Sequence, residues 1–387
     1  MNTAIFTRSD LRAALAVASQ VVDKRVSIPI LGNIAITASP DGAIIRGTDL
    51  DILATVRIPG SLPENFSLTL PAHKLKELEK KAPATDLVAI DMPDEDGGPA
   101  ALDFEGLRVT MQSLPIADFK EMQIEGKINA SFSMPTEDLL RAIDAVAFAI
   151  STEEAHYCLN GIYMHVTTVN GAPVLRFVAT DGHRLARHDM PAPEGSGTPD
   201  AWGVIIPRKT VDFLRGLCKA KSAPETVSIL VNTIKARFTL GNVDVLTKLI
   251  DGTFPCYTRV IPYAHNHSMR ADRSELMKAI AGVSAVSSER GRAIKLTMES
   301  GPNGYQALTL SVCNPDLGDA SMKIPCTFKS DKSASFEIWF NGRYLLDVLG
   351  QIDCETVEFS FGDAGSPAII AQPRFASSLY VLMPMRV

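Results

Sequence analysis

The chain has 387 residues, 46% of them hydrophobic, which is ample for two or three packed domains and excludes a disordered protein. Its 38 Lys and Arg stand against 44 Asp and Glu, and a net charge of −6 excludes attraction to nucleic acid by a strong overall positive field. Six scattered cysteines (Cys158, Cys218, Cys256, Cys313, Cys326, Cys354) show no C-x-x-C pair or His cluster, and no run nears the roughly 18 apolar residues of a membrane span. Neither zinc, another cofactor nor a disulfide framework is expected, and the chain reads as a soluble cytoplasmic protein with reduced thiols and no membrane partner.

Thr7-Arg8-Ser9-Asp10 supplies an N-cap to a helix whose apolar stripe is Leu11, Leu15, Ala18 and Val22. A strand at Ile34-Ala35-Ile36 follows, then a hairpin turning at Gly47-Thr48-Asp49-Leu50-Asp51, then a strand entering a second helix at Leu70-Pro71-Ala72-His73, where proline suits a first turn. Alternating strand from Ala101 to Ser113 closes on Leu114-Pro115-Ile116. The same order returns after Pro135-Thr136-Glu137-Asp138, with Leu139, Ile143, Val146 and Ile150 as stripe and Gly161 to Met164 as strand. Its hairpin turns at Thr180-Asp181-Gly182, its second helix opens at Ile206-Pro207-Arg208-Lys209, and its strands run from Val227 to Lys248. A third round starts at the capping box Asp272-Arg273-Ser274-Glu275, turns loosely at Asn314-Pro315-Asp316-Leu317-Gly318, and continues through Phe340-Asn341-Gly342-Arg343 to strands over Thr356 to Met383.

With Asp49, Asp181 and Asp316 as equivalents, the turns lie 132 and 135 residues apart. That period is too long for a solenoid repeat, so three complete α+β domains are expected, at 1–125, 129–262 and 264–387. The acidic turn from Asp91 to Gly98 and the loop from Pro191 to Pro199 read as solvated connections.

Helical segments at 7–22, 72–82, 136–150, 207–221, 270–286 and 341–349 carry 16 Lys and Arg against 10 Asp and Glu, so the rest of the chain carries −12. Surface helices are often rich in Lys and Arg, and this alone decides little. Together with a threefold repeat it points to a ring with positive helices inside. At about 9 Å per helix, six helices span roughly 54 Å of circumference and leave a hole of about 7 Å, too narrow for a duplex. Twelve helices from two chains leave about 24 Å.

Several segments carry a family resemblance: Ile28-Pro29-Ile30-Leu31-Gly32-Asn33, Gly47-Thr48-Asp49-Leu50, Tyr157-Cys158-Leu159-Asn160-Gly161, Ala179 to Leu185, Asp251-Gly252-Thr253-Phe254-Pro255 and Tyr380 to Val387. In their order and spacing the chain resembles, over essentially its whole length, the bacterial DNA polymerase III beta subunit, the processivity sliding clamp. The resemblance implies a head-to-tail homodimeric ring of six similar domains, helices inside and sheets outside, that slides on duplex DNA without catalysis. It implies a clamp loader and the polymerase III alpha subunit, other polymerases and repair proteins as partners, the last groups docking short extended peptides with a Gln and apolar or aromatic anchors.

Carried onto this sequence, the peptide groove is expected from Leu159, Thr180, Gly182, His183, Arg184, Leu185, Pro255, Arg259, Val260, Val381, Leu382, Met383, Pro384, Met385 and Arg386. Apolar walls, flexible methionines and a few polar groups suit peptide capture, although Leu382 to Met385 also read as the last core strand. Phosphate contacts without base readout are expected from Lys24, Arg25, Lys74, Lys80, Arg208, Lys209, Arg215, Lys219 and Arg273, with Tyr157 and Arg25 at positions that touch DNA in the family. Each of these cations also reads as a solvated surface charge. The subunit junction is expected at Val109 and Met111, facing Val286 and Arg290 of a partner, although Val109 and Met111 read equally as facing their own core. Two other readings are weaker. Asp181 and His183 as an acid/base pair lack a nucleophile in the motif, and a sequence-specific DNA binder lacks helix-turn-helix or finger spacing.

Overall fold

The computed structural model describes residues 3–286, 293–300, 306–330, 335–372 and 375–386. The chain forms two compact units, one of residues 1–140, 193–197 and 209–249, the other of 141–192, 198–208 and 250–387. Six α-helices occur among the described residues, two in each copy of the repeat: α1 (Arg8–Val21), α2 (Ala72–Lys81), α3 (Thr136–Ala147), α4 (Arg208–Cys218), α5 (Arg273–Ser284) and α6 (Gly342–Leu349). No helix of the described residues is long and apolar enough to cross a membrane. None of the six cysteines, all of them among the described residues, forms a disulfide.

The caps are where the sequence places them. Thr7 and Asp272 accept side-chain hydrogen bonds from the Asp10 and Glu275 N–H groups, which satisfies first-turn donors of α1 and α5. α5 begins at Arg273, after this cap and later than the segment counted from residue 270, because Arg270 and Ala271 still belong to the strand His267–Asp272. In the first unit Leu11, Leu15 and Ala18 of α1 and Leu75 of α2 are buried against Ile34, Ile36, Ile45, Val56, Phe6 and Val88 of the strands. Close approach is set by Gly47, where a Cβ would stand 2.3 Å from the Ala18 carbonyl oxygen.

The Thr-Asp turn is built twice from the same bonds. Asp49 Oδ1 accepts from the N–H groups of Asp51 and Ile52, and Asp181 Oδ1 from those of His183 and Arg184. Thr48 and Thr180 each accept from the residue two ahead and donate to the carbonyl four ahead. The left-handed position is Gly182 at φ 86° in one turn and Leu50 at φ 76° in the other. In the third turn the side-chain acceptor is Asn314, whose Oδ1 accepts from the N–H groups of Asp316 and Leu317. Asp316 is therefore not the equivalent of Asp49 and Asp181; with Asn314 the spacing becomes 132 and 133.

Sheets cross the expected domain boundaries. The first unit has an eight-stranded antiparallel sheet in the order Ser67–Pro71, Asn33–Ser39, Gly42–Thr48, Ile52–Ile58, Val243–Lys248, Lys235–Leu240, Thr226–Val231, Ala130–Pro135. Its middle pair joins the first copy to the second, with Leu53 opposite Leu246. The second unit has a nine-stranded sheet in the order Gly203–Pro207, Gly161–Val169, Ala172–Thr180, Arg184–Pro191, Phe375–Leu382, Ala368–Gln372, Thr356–Phe361, His267–Asp272, Thr327–Ser330. There the second copy joins the third, with Leu185 opposite Val381. Each unit adds a four-stranded sheet: Thr3–Thr7, Leu87–Asp91, Pro99–Phe104, Leu107–Gln112 in the first, and Gly318–Pro325, Gln306–Asn314, Ala293–Ser300, Ser335–Asn341 in the second.

Candidate functional site

In the second unit the pairing of Arg184–Pro191 with Phe375–Leu382 carries the C-terminal residues onto the Asp181 turn. The Met383 N–H donates to the His183 carbonyl at 2.9 Å and the Met385 N–H to the Trp339 carbonyl at 2.8 Å. Leu159, Leu185 and Val381 meet Val178, Ile205, Phe254 and Tyr257 in one apolar cluster. Beside Phe254 and Tyr257 in the chain, Pro255, Arg259 and Val260 are exposed, as are Gly182, His183, Met383 and Arg386, while Thr180, Pro384 and Met385 are half-buried. Val260 at 44% and Met383 at 38% are apolar side chains exposed to solvent. Leu382 is fully buried in the sheet.

Arg184 is committed within the fold. Its Nε donates to Asp181 at 3.0 Å, Nη1 to Asp347 of α6 at 2.5 Å and Nη2 to the Phe148 carbonyl at 2.6 Å. The guanidinium lies 4.4 Å from the Tyr344 ring centre and 5.1 Å from that of Phe148, and His183 stacks on Tyr344 at 6.2 Å. One side chain thereby locks the turn of the second copy to the helix of the third. The Asp181 carboxylate is used by its own turn and by Arg184. Phe148, Tyr344 and Asp347 escape a reading of the sequence, although Tyr344 and Asp347 stand three apart on one helix face.

A buried polar network holds the segment after Phe254. Tyr257 Oη lies 3.0 Å from His165 Nε2 and accepts from Arg176 Nη1 at 3.2 Å, while Arg176 forks onto Asp189 at 2.6 and 2.8 Å. Tyr163 stacks between Phe254 at 4.9 Å and His165 at 4.6 Å. Burial, and next the Arg176 charge, pushes the His165 pKa down to about 4. The folded chain refuses a proton that the unfolded chain takes near its ordinary value of 6.5. Stability from this group is complete above about pH 6.5 and falls as the pH drops toward 4, by up to about 3 kcal/mol. His165→Gln is expected to shrink the loss of stability between pH 7 and pH 4.5 by about 2 kcal/mol, read from urea midpoints at the two pH values.

The cations expected to meet phosphate fall into two groups. Lys24 and Arg25 in the turn after α1, Lys74 and Lys80 on α2, Arg208 on α4 and Lys219 just beyond it are exposed. Arg215 is half-buried. Lys209 reaches Asp49 at 2.5 Å and Asp23 at 2.9 Å, and Arg273 Nη1 donates to the Leu349 carbonyl at 3.2 Å. Burial opposes the Lys209 charge, but bonds to the two carboxylates outweigh it and raise its pKa. Tyr157 is 57% exposed and lies against Gly252. Not all helix charge is outward: Arg8 is buried, bonded to Glu79 and to the carbonyls of Glu79, Ala82 and Pro83, where it caps the end of α2.

Among the described residues Leu107–Gln112 pairs on one side alone, with Pro99–Phe104; Val109 and Met111 are half-buried on one face of it. Among the described residues Gly318–Pro325 likewise pairs on one side alone, with Gln306–Asn314; Met322 and the adjacent Leu317 are exposed, and nothing in its sequence singled it out. Val286 is half-buried after α5, its carbonyl accepting from Asn314 Nδ2 at 3.0 Å; Arg290 lies outside the described residues.

Helix pairs repeated three times, on antiparallel sheets that run on from one copy to the next, define a protein of the DNA clamp class. Family models of the DNA polymerase III beta subunit match end to end, the N-terminal domain at residues 2–123, the central domain at 133–256 and the C-terminal domain at 258–386. The chain belongs to this family. It is 40% identical over 388 residues to the beta sliding clamp of Caulobacter vibrioides, covering 98% of both chains, and 30% identical over 381 residues to that of Escherichia coli, again covering 98% of each. Among solved structures it matches the Caulobacter crescentus beta sliding clamp with a TM-score of 0.92 at 39% identity, covering 100% of this chain and 99% of that one. A Bartonella birtlesii sliding clamp bound to griselimycin matches with a TM-score of 0.91 at 38% identity and the same coverage.

Proposed function

We propose that two copies of this chain close into a head-to-tail ring that encircles duplex DNA and tethers polymerases to it, without catalysis of its own. The observation that carries this reading is the way successive copies join. Within the chain, the strand after the turn of one copy pairs with the last strand of the next: Ile52–Ile58 with Val243–Lys248, and Arg184–Pro191 with Phe375–Leu382. In the third copy the strand after the turn is Gly318–Pro325, and the last strand of the first copy is Leu107–Gln112. Both are edges without a second neighbour among the described residues, and the same rule pairs them between two chains, which removes two aggregation-prone edges at once. This sets Val109 and Met111 along the strand Gly318–Pro325, at whose start Asn314, the partner of Gly318, donates to the Val286 carbonyl. Domains at 1–125, 129–262 and 264–387 then supply six modules to the ring.

Lys24, Arg25, Lys74, Lys80, Arg208, Arg215 and Lys219 act as counter-charges to phosphate, Tyr157 is a further contact to DNA, and base edges are left unread, which suits a ring that must pass any sequence. Lys209 and Arg273 contribute charge from positions fixed by internal partners. The apolar cluster under His183, Val260 and Met383 takes the apolar or aromatic anchors of short extended peptides carried by the clamp loader, the polymerase III alpha subunit and repair polymerases. Mass in solution tests the assembly. Light scattering is expected to give roughly twice 41.7 kDa at micromolar protein, and a stable particle of one chain contradicts the ring.

A further inference from the structure

The first unit contains a second junction of the same build as the groove. Leu53 faces Leu246 in the register in which Leu185 faces Val381, and the Lys248 N–H donates to the Asp51 carbonyl at 2.8 Å just as Met383 does to His183 at 2.9 Å. Ile30, Leu53, Phe119 and Leu246 cluster as Leu159, Leu185, Phe254 and Val381 do. Two features differ. The places of His183 and Met383 are taken by Asp51 and Lys248, whose side chains pair at 3.1 Å. The strap that follows Phe119 is also tied along its length. Arg46 holds Glu121 at 3.3 Å, Lys235 donates to the Gln123 carbonyl, and Asn232 donates to the Glu125 carbonyl at 2.7 Å, while Met122 and Ile124 pack on the cluster.

The matching strap after Phe254 is longer. Asn129 reaches the Val231 carbonyl ten residues after Phe119, whereas Asn266 reaches the Phe361 carbonyl twelve residues after Phe254. The two extra residues arch into the 3-10 turn Tyr257–Val260 and leave Arg259 and Val260 exposed. A short, tied strap has no such arch.

We propose that the first junction is a closed copy of the groove. The chain's own strap, Phe119 to Glu125, occupies it and the Asp51–Lys248 pair bars its mouth, so that each chain offers a partner peptide one docking site and not two. An entering apolar side chain would have to strip water from an ion pair and displace side chains already packed, and the strap competes as part of the same chain, at high effective concentration. This inference rests on the peptide-groove reading above.

The test is calorimetric titration of the full-length protein with a synthetic hexapeptide carrying one Gln, two Leu and a C-terminal Phe. One site per chain is expected for the native protein. The triple variant Asp51→His, Lys248→Met, Lys235→Ala, which changes solvent-facing side chains and frees the Gln123 carbonyl, is expected to show two, the second weaker than the first. A folded triple variant that still binds one peptide overturns the proposal. Photo-crosslinking with a benzophenone-bearing form of the peptide adds a test that needs no variant: in the native protein the label is expected near Val381 to Met385, and label on Phe119 to Glu125 overturns the proposal. Failure of the native protein to bind at either place overturns the groove reading itself.

Discussion

Replacing Arg184 by alanine is expected to cost about 3 kcal/mol of stability and to weaken peptide binding by a hundredfold or more, because it removes one partner from a nearly buried ionic network. The Arg184 side chain is 10% exposed, and its loss strands Asp181 at 15% and Asp347 at 34%, together with the Phe148 carbonyl. The consequence reaches the proposed groove because the same guanidinium fixes the Asp181 turn, which holds Met383 through the His183 carbonyl, and packs against Tyr344, on which His183 stacks. Arg184→Lys should recover little, since one ammonium cannot serve three acceptors set apart around a planar fork. Urea unfolding and peptide titration read the two effects. A stability change below about 0.5 kcal/mol, the usual range for a surface substitution, contradicts this role.

Phe254→Ala is expected to destabilise the protein by about 3–4 kcal/mol, the ordinary cost of emptying a buried phenylalanine site. Phe254 is 8% exposed, stacks on Tyr163 at 4.9 Å with the planes 5° apart, and meets Tyr257 edge-on at 6.4 Å. Such ring pairs add about 0.5–1.5 kcal/mol beyond burial. Its loss loosens the strap that presents Pro255, Arg259 and Val260, so peptide affinity is expected to fall roughly tenfold, worth about 1.4 kcal/mol. Retention on circular DNA should be unchanged below the unfolding temperature, because no proposed phosphate contact rests on this side chain. Loss of DNA retention with peptide binding intact would reverse that assignment.

Much of the local structure is legible in the chain. Caps at Thr7 and Asp272, apolar stripes such as Leu11, Leu15 and Ala18, and the Thr-Asp turns each follow from residues a few positions apart, and the structure builds them from those residues. The third turn misleads because Asn314 and Asp316 are both good turn acceptors, and composition does not say which accepts the bonds. Alternation reveals a strand's buried face but not its neighbour. The pairs Leu53 with Leu246 and Leu185 with Val381, nearly two hundred residues apart in sequence, are thus invisible until the sheets are seen. The same limit hides Asp347 and Phe148 from Arg184, and Glu79 from Arg8, whose charge a helix-by-helix count places at the surface.

The proposed ring holds DNA by enclosing it. Loaded by a clamp loader with ATP onto nicked circular DNA and passed through a sizing column, the protein is expected to stay with the circle for minutes at a salt concentration that abolishes its equilibrium binding to linear fragments. Cutting that circle once with a restriction enzyme should release it within the time needed to slide to an end. Retention that is unchanged by the cut, or that falls with salt equally on circles and on linear fragments, would show that surface charge and not enclosure holds the two together.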